Sequence, residues 1–218
     1  MTAHFVDLLD NLRRRSLRMA GLVEEVVKQA CEAVFQADPE IAKRVVQRDA
    51  DVDAEEVEVE SDVIRLLALY QPVGSDLRLL CTVLKVNNDL ERIADCAVNV
   101  AERAKHVDAR TLVGPYEDLR QMGPLVEHML HNAVKAYGSQ AVNDAQRVLS
   151  EEDAVDALYG QIIRRLVADA SASPAKIASF LDVLSVAKNL ERIADHATNI
   201  AEDVVFVCTG EIVRHRTH

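Results

Sequence analysis

Leu84–Glu102 reads LKVNNDLERIADCAVNVAE, and Leu184–Glu202 reads LSVAKNLERIADHATNIAE. Aligned at an offset of 100, the two stretches are identical at 12 of 19 positions. Apolar residues recur in both at intervals of three and four, the spacing of an amphipathic helix. Earlier segments also match, at an offset of 103: Met19 with Met122, Leu22 with Leu125, Val23 with Val126 and Glu24 with Glu127. Arg44-Val45 likewise pairs with Arg147-Val148, and Val52-Asp53-Ala54 with Val155-Asp156-Ala157. The three-residue difference places a longer connection in the first half, around Gln71–Ser75. Self-similarity at this period makes the chain a duplicated three-helix unit.

The punctuation between these segments is helical in type. Asp38-Pro39 reads as an N-cap followed by proline in the first helical position, and Ser173-Pro174 repeats that pattern. Ser75 and Asp76 follow Pro72 and Gly74 as a helix start, Asn143 is a candidate cap, and Gly114-Pro115 separates the halves. Val45, Val52, Val59 and Leu66 recur every seven residues, with Val63 and Tyr70 beside them, which outweighs the strand-like alternation Val57-Glu58-Val59-Glu60. Six helices are predicted, over roughly 4–37, 39–70, 75–107, 115–141, 143–171 and 174–208. The expected fold is all-α, a tandem duplication of an antiparallel three-helix bundle, with residues 1–110 in the first bundle and 111–218 in the second.

Composition excludes several classes. The 218 residues carry 25 Lys+Arg against 36 Asp+Glu, a formal charge of −11, with 49% apolar residues and 4% aromatics. A chain this apolar is not disordered, and one with only seven Gly and five Pro is not a sandwich or barrel. An acidic balance argues against a phosphate-backbone binder, so no nucleic-acid partner is expected. No segment reaches the ~18 apolar residues of a membrane span, and Met1–Arg18 lacks the apolar stretch of a signal peptide. A cytoplasmic location is expected. Cys31, Cys81, Cys96 and Cys208 form no CxxC pair and read as reduced cysteines in a helical core.

The repeated acids are the candidate site. Glu91 and Asp95 lie one helical turn apart on one face, with Asn99 and Glu102 continuing it; Glu191, Asp195, Asn199 and Glu202 reproduce the stripe. The second helix of each half supplies its own pair at the same spacing, Asp49/Asp53 and Glu152/Asp156. Acids close to a packed seam repel unless something positive lies between them. If the second and third helices are neighbours, four carboxylates converge per half. Such an oxygen set suits Mg²⁺, Mn²⁺, Ca²⁺ or iron better than a thiolate-preferring metal. A Glu-x-x-x-Asp pair alone is common on solvated helix faces, and Arg92 and Arg192 could pair with nearby acids as surface ion pairs. Four pairs in matching positions of two repeats are what make the pattern informative.

Other residues carry less. Asp49–Asp62 holds eight acids and no base, readable as a solvated face. His128 and His131 have no repeat partner and read as surface residues. His196 stands where the first half has Cys96 and reads mainly as packing. His215, Arg216 and His218 form a short tail after Thr209-Gly210. No Gly-rich phosphate loop or nucleophile elbow is present. An iron-storage or redox bundle is the competing reading, but Glu-x-x-His, which such bundles carry on two helices, is absent from the sequence.

The two LERIAD…N.AE segments, the stretch Gln71-Pro72…Asp76-Leu77-Arg78, and Asp195-His196-Ala197-Thr198-Asn199-Ile200-Ala201-Glu202 resemble the PhoU family of phosphate-signalling regulators. Thr209-Gly210 followed by Val213-Arg214-His215 is similar to that family's C-terminal end. The resemblance covers nearly the whole chain. It implies a pair of three-helix bundles whose Glu/Asp-x-x-x-Asp motifs hold multinuclear metal clusters. On this chain the motifs fall at Asp49, Asp53, Glu91 and Asp95, and at Glu152, Asp156, Glu191 and Asp195. The implied cofactor is a divalent or trivalent ion, among magnesium, manganese, iron and zinc. The resemblance further implies a non-enzymatic, cytoplasmic, often homodimeric adaptor at the membrane periphery, linking a phosphate ABC transporter to a sensor histidine kinase and restraining phosphate-starvation signalling. The family pattern usually has Gly where this chain has Ala94 and Ala194, both small enough to keep a close helix approach. Asp76 and Arg78 have no second-half counterpart.

Overall fold

The computed structural model describes residues 3–105 and 116–213. Among the described residues there are six long α-helices and no strand: α1 (Ala3–Gln36), α2 (Pro39–Tyr70), α3 (Gly74–Arg103), α4 (Glu117–Ser139), α5 (Val142–Ala172) and α6 (Ile177–Thr209). The predicted helices are all present. Gly114-Pro115, the 110/111 boundary, Arg214 and the tail residues His215, Arg216 and His218 lie outside the described residues.

Helix ends follow local chemistry, with instructive departures. Asp38 caps α2 as predicted, its carboxylate accepting from the Glu40 and Ile41 amides at 2.8 and 3.2 Å. Gln71 and Gln140 close α2 and α4 in the left-handed region, and Gly210 closes α6 at φ 79°. Asn143 is not a cap: α5 begins one residue before it, after Ala141, and no side chain caps that end. Ser173-Pro174 opens a single 3₁₀ turn, Pro174–Lys176, and α6 starts only at Ile177. Ser75 and Asp76 lie inside α3, which begins at Gly74. Val57–Glu60 is helical, in the middle of α2.

The heptad positions Val45, Val52, Val59 and Leu66, with Val63, turn inward and are buried. Helices α1, α2 and α3 pack on one another, as do α4, α5 and α6. The two triplets are not separate bodies. A continuous core runs from Met19 and Val45 through Ile93 and Val126 to Val155, Ile193 and Val204. A smaller cluster closes the far end of the first triplet around Phe5, Leu9, Val63 and Leu80. Among the described residues the repeats are joined by α1 against α4 and by α3 against α6. Both run antiparallel, as their cross-links show. Ser16 and Tyr137 share a buried hydrogen bond of 2.9 Å, and His131 meets Glu24 at 2.9 Å. On the other seam Lys85 reaches Asp203 at 2.9 Å, Asp89 reaches His196 at 2.8 Å, and Arg103 reaches Asp182 at 3.4 Å.

Of the cysteines, Cys31 and Cys96 are in the core and Cys81 is half-buried, all free. Cys208 departs from the expectation: it is exposed on the last turn of α6, its thiol directed at the Gln140 carbonyl at 3.3 Å. Among the described residues no helix is long and apolar enough to cross a membrane.

Candidate functional site

Each repeat places its acids where its second and third helices pack together. In the second, α5 carries Glu152 and Asp156 on successive turns, and α6 carries Glu191 and Asp195 likewise. Asp156, Glu191 and Asp195 each offer a ligand atom within 4.8 Å of the others. Metal–oxygen bonds of 2.0–2.6 Å put opposite ligands of one ion roughly 4–5 Å apart, so these oxygens fit around a single hard cation. The donor set is all carboxylate, which matches the oxygen preference of such ions. Glu152 lies beside them, with Asp195, Asp156 and Glu202 as its acidic neighbours.

Electrostatics at this cluster run against ionisation. Burial, then the neighbouring Glu191, raises the carboxyls of Asp156 and Asp195 above the ordinary range. Burial, then Asp195 and Asp156, does the same for Glu152. Lys188 gives partial relief. Its ammonium lies 2.6 Å from a Glu191 oxygen and 5.5 Å over the Tyr159 ring.

The first repeat brings Asp49, Asp53, Glu91 and Asp95 into one electrostatic neighbourhood but less tightly, and it adds Glu56. Burial, then Asp53 and Asp95, raises Asp49; burial, then Asp95, raises Glu91, whose other acidic neighbours are Glu56 and Asp53. Burial, then Glu60 and Asp53, raises Glu56. Arg92 is bound to this group, 3.3 Å from Glu91 and 3.6 Å from Asp95. The tight oxygen triad is thus found at the second repeat's site among the described residues.

Two residues were missed. Glu56 continues Asp49 and Asp53 at i+7 from Asp49, a signal hidden because the repeat alignment sets it against Tyr159. Lys188 stands against Asn88, and its proximity to Glu191 was readable from their i, i+3 spacing. The asparagines of the predicted stripe leave it. Asn99 donates to the Asp95 carbonyl at 2.9 Å, and Asn199 donates across the seam to Asp89 at 3.3 Å. His196 faces Asp89 on that seam. His128 and His131 are exposed, His128 meeting Asn132 at 2.9 Å. Arg78 of the Asp76-Leu77-Arg78 stretch packs beside Gly210, so two motif segments distant in sequence adjoin in space.

The comparisons bear on the whole chain. The family model for the PhoU domain matches twice, over residues 16–104 and 119–204. A phosphate-specific transport system accessory protein PhoU homolog of Zymomonas mobilis is 35% identical over 98% of this chain and 90% of its own length. Its counterpart in Aquifex aeolicus is 36% identical over 95% of this chain and 94% of its own. The crystal structure of PhoU from Pseudomonas aeruginosa superposes with a TM-score of 0.90 at 34% identity, covering 95% of this chain and 100% of that one. The phosphate transport system regulatory protein PhoU from Streptococcus pneumoniae gives 0.88 at 28% identity, covering 96% and 99%.

Proposed function

Because this chain belongs to the PhoU family, we propose that it is a regulatory accessory protein of a phosphate-specific transport system. It acts in the cytoplasm as a homodimeric, metal-binding adaptor between a phosphate ABC transporter and a sensor histidine kinase, and it restrains phosphate-starvation signalling. It does so without catalysing a reaction. The observation that carries this reading is the match of both repeats, over nearly the full length, to proteins named for that transport system.

The metal part rests on the carboxylate clusters. Asp156, Glu191 and Asp195 would hold an ion in the second repeat, with Glu152 beside them, and Asp49, Asp53, Glu91 and Asp95 would hold one in the first. A bound divalent or trivalent cation supplies positive charge that cancels the mutual repulsion of these acids. The chain's own residues set the terms of that exchange. Lys188 engages one oxygen of Glu191, and Arg92 one oxygen each of Glu91 and Asp95, so these cations compete with a metal ion for the same carboxylates.

Deleting the gene is expected to derepress phosphate-responsive expression and alter phosphate uptake; normal responses would overturn the adaptor reading. Elemental analysis of protein purified without chelator tests the metal separately. Asp156→Asn/Asp195→Asn is expected to lose about half of the bound metal. Unchanged metal content in that variant would overturn the ligand assignment and leave the transport reading standing.

A further inference from the structure

The eight-acid run Asp49–Asp62 was readable as a plain solvated face, and in the structure it has a pattern that solvation does not require. The buried side of α2 is the heptad Val45, Val52, Val59 and Leu66. At 100° per residue, a second stripe lies about 180° away, facing solvent: Ala50, Ala54, Val57, Ser61, Ile64 and Ala68. All six are exposed, with Val57 at 60% and Ile64 at 55%. Their spacing of three and four is that of a coiled-coil seam, and with Val46 they run about 33 Å along the helix. Acids bank the stripe on both sides: Asp49, Asp53, Glu56 and Glu60 on one, Asp51, Glu58 and Asp62 on the other. Part of this charge is offset, through Arg15 at Glu55, Glu58 and Asp62, through Arg65 of α2 itself at 2.6 Å from Asp62, and through Arg92 near Glu56.

The duplication supplies an internal control. At the offset of 103, α5 keeps the buried positions Val148, Val155 and Ile162. The stripe positions become Asp153, Ala157, Gly160, Arg164, Val167 and Ser171, with charges of both signs in the middle of the face. The fold therefore does not need an apolar outer stripe on this helix.

We propose that the outer face of α2 is a docking surface for a cationic amphipathic helix of another protein, with an apolar stripe of its own and Lys or Arg on both flanks. Charge selects this occupant. The α2 face of a second copy would set acids against acids, and an anionic bilayer surface is repelled by the same banks. A helix seated here covers Val57 and Ile64 and places its cations over the two acid banks. Asp49 and Asp53 belong both to one bank and to the first carboxylate cluster, so a docked helix and a bound metal compete for them. This deepens the adaptor reading, on which it rests for a partner in the cell; the surface itself is argued from α2 alone.

The probe is a synthetic helical peptide of about 24 residues with a leucine stripe and Lys/Arg flanks, titrated into the full chain by fluorescence anisotropy. Expected is saturable binding that Val57→Ser/Ile64→Ser weakens by about tenfold or more, because the apolar cover is lost while every charge stays. Val167→Ser, an exposed valine on α5, is expected to leave affinity unchanged. A composition-matched peptide scrambled to have no apolar face is expected to bind at least about tenfold more weakly. Equal binding of the two peptides, or equal affinity for the double variant, would overturn the surface. So would self-association, or co-sedimentation with phosphatidylserine vesicles, that the double variant abolishes. None of these results depends on the gene-deletion phenotype, so the surface and the adaptor reading fail separately.

Discussion

A carboxylate that gains neighbours of its own sign holds its proton longer, and several of the candidate ligands are in that position. Glu152, Asp156 and Asp195 all have carboxyls raised by burial first and by a neighbouring carboxylate second, Asp195 for Glu152 and Glu191 for the two aspartates. A raised carboxyl means that the folded chain binds the proton more tightly than the unfolded one. Its contribution to stability is complete below the ordinary carboxylate range, roughly pH 4, and is lost as pH rises through the raised value. Metal-free protein is therefore expected to lose thermal stability as pH rises from that range toward neutrality. Asp156→Asn/Asp195→Asn should flatten this part of the profile, and a divalent cation at pH 7 should reverse it for the native chain alone. Thermal melts in chelator across this range check it; a native profile no steeper than the variant's would refute the electrostatic account. At this scale spacing on one helix was enough to put Glu191 and Asp195 on one face, where their oxygens cluster with that of Asp156. The spacing of Lys188 to Glu191 carries their ion pair in the sequence, whereas nothing local marks Asp89, which holds His196 and Asn199 across the seam.

Among the elements, α1 and α4 make the closest fit visible at a single position. A Cβ on Gly123 would lie 2.6 Å from Cε2 of Phe35 and 3.0 Å from its Cζ, so α4 approaches the end of α1 with nothing between backbone and ring. Gly123→Ala gains about 1 kcal/mol of helix propensity, but overpacking against the ring costs about 1–3 kcal/mol. A net loss of roughly 1 kcal/mol is expected, read as a lower denaturation midpoint, with Phe35→Leu restoring part of it. No loss in the single variant would show that the ring turns aside freely. Helix existence was legible nearly everywhere, since the three-four periodicity is a local property. Helix ends were legible where a cap has its own chemistry, as at Asp38-Pro39, and less so at Asn143 and Ser173-Pro174. There the backbone resolved the terminus with turn geometry that residue identity does not specify.

At the level of the molecule, the repeat was written in the sequence but the way its copies meet was not. Periodicity identifies a buried face without naming what buries it. On α3, positions 89, 93, 96, 100 and 103 share a face at three-four spacing, and its Asp89 and Arg103 reach α6. Ile93, Cys96 and Val100 on this face are fully buried in the common core. Residues 1–110 expressed alone lose that cover, together with the partner of Ser16 on α4. They are expected to aggregate or self-associate, as sedimentation velocity would show; a stable, folded monomer would refute the dependence of one repeat on the other.

The same seam has a mechanical consequence. The helix that carries Glu91 and Asp95 is the one that packs on the helix carrying Glu191 and Asp195. Cys96 and Val100 on one and Ile200 and Asp203 on the other fall on the faces that the cross-links mark, and all four are buried. A turn of α3 that reseated its carboxylates would have to repack this face and break its cross-links to α6. The two carboxylate clusters are thereby carried on helices that share one packed seam.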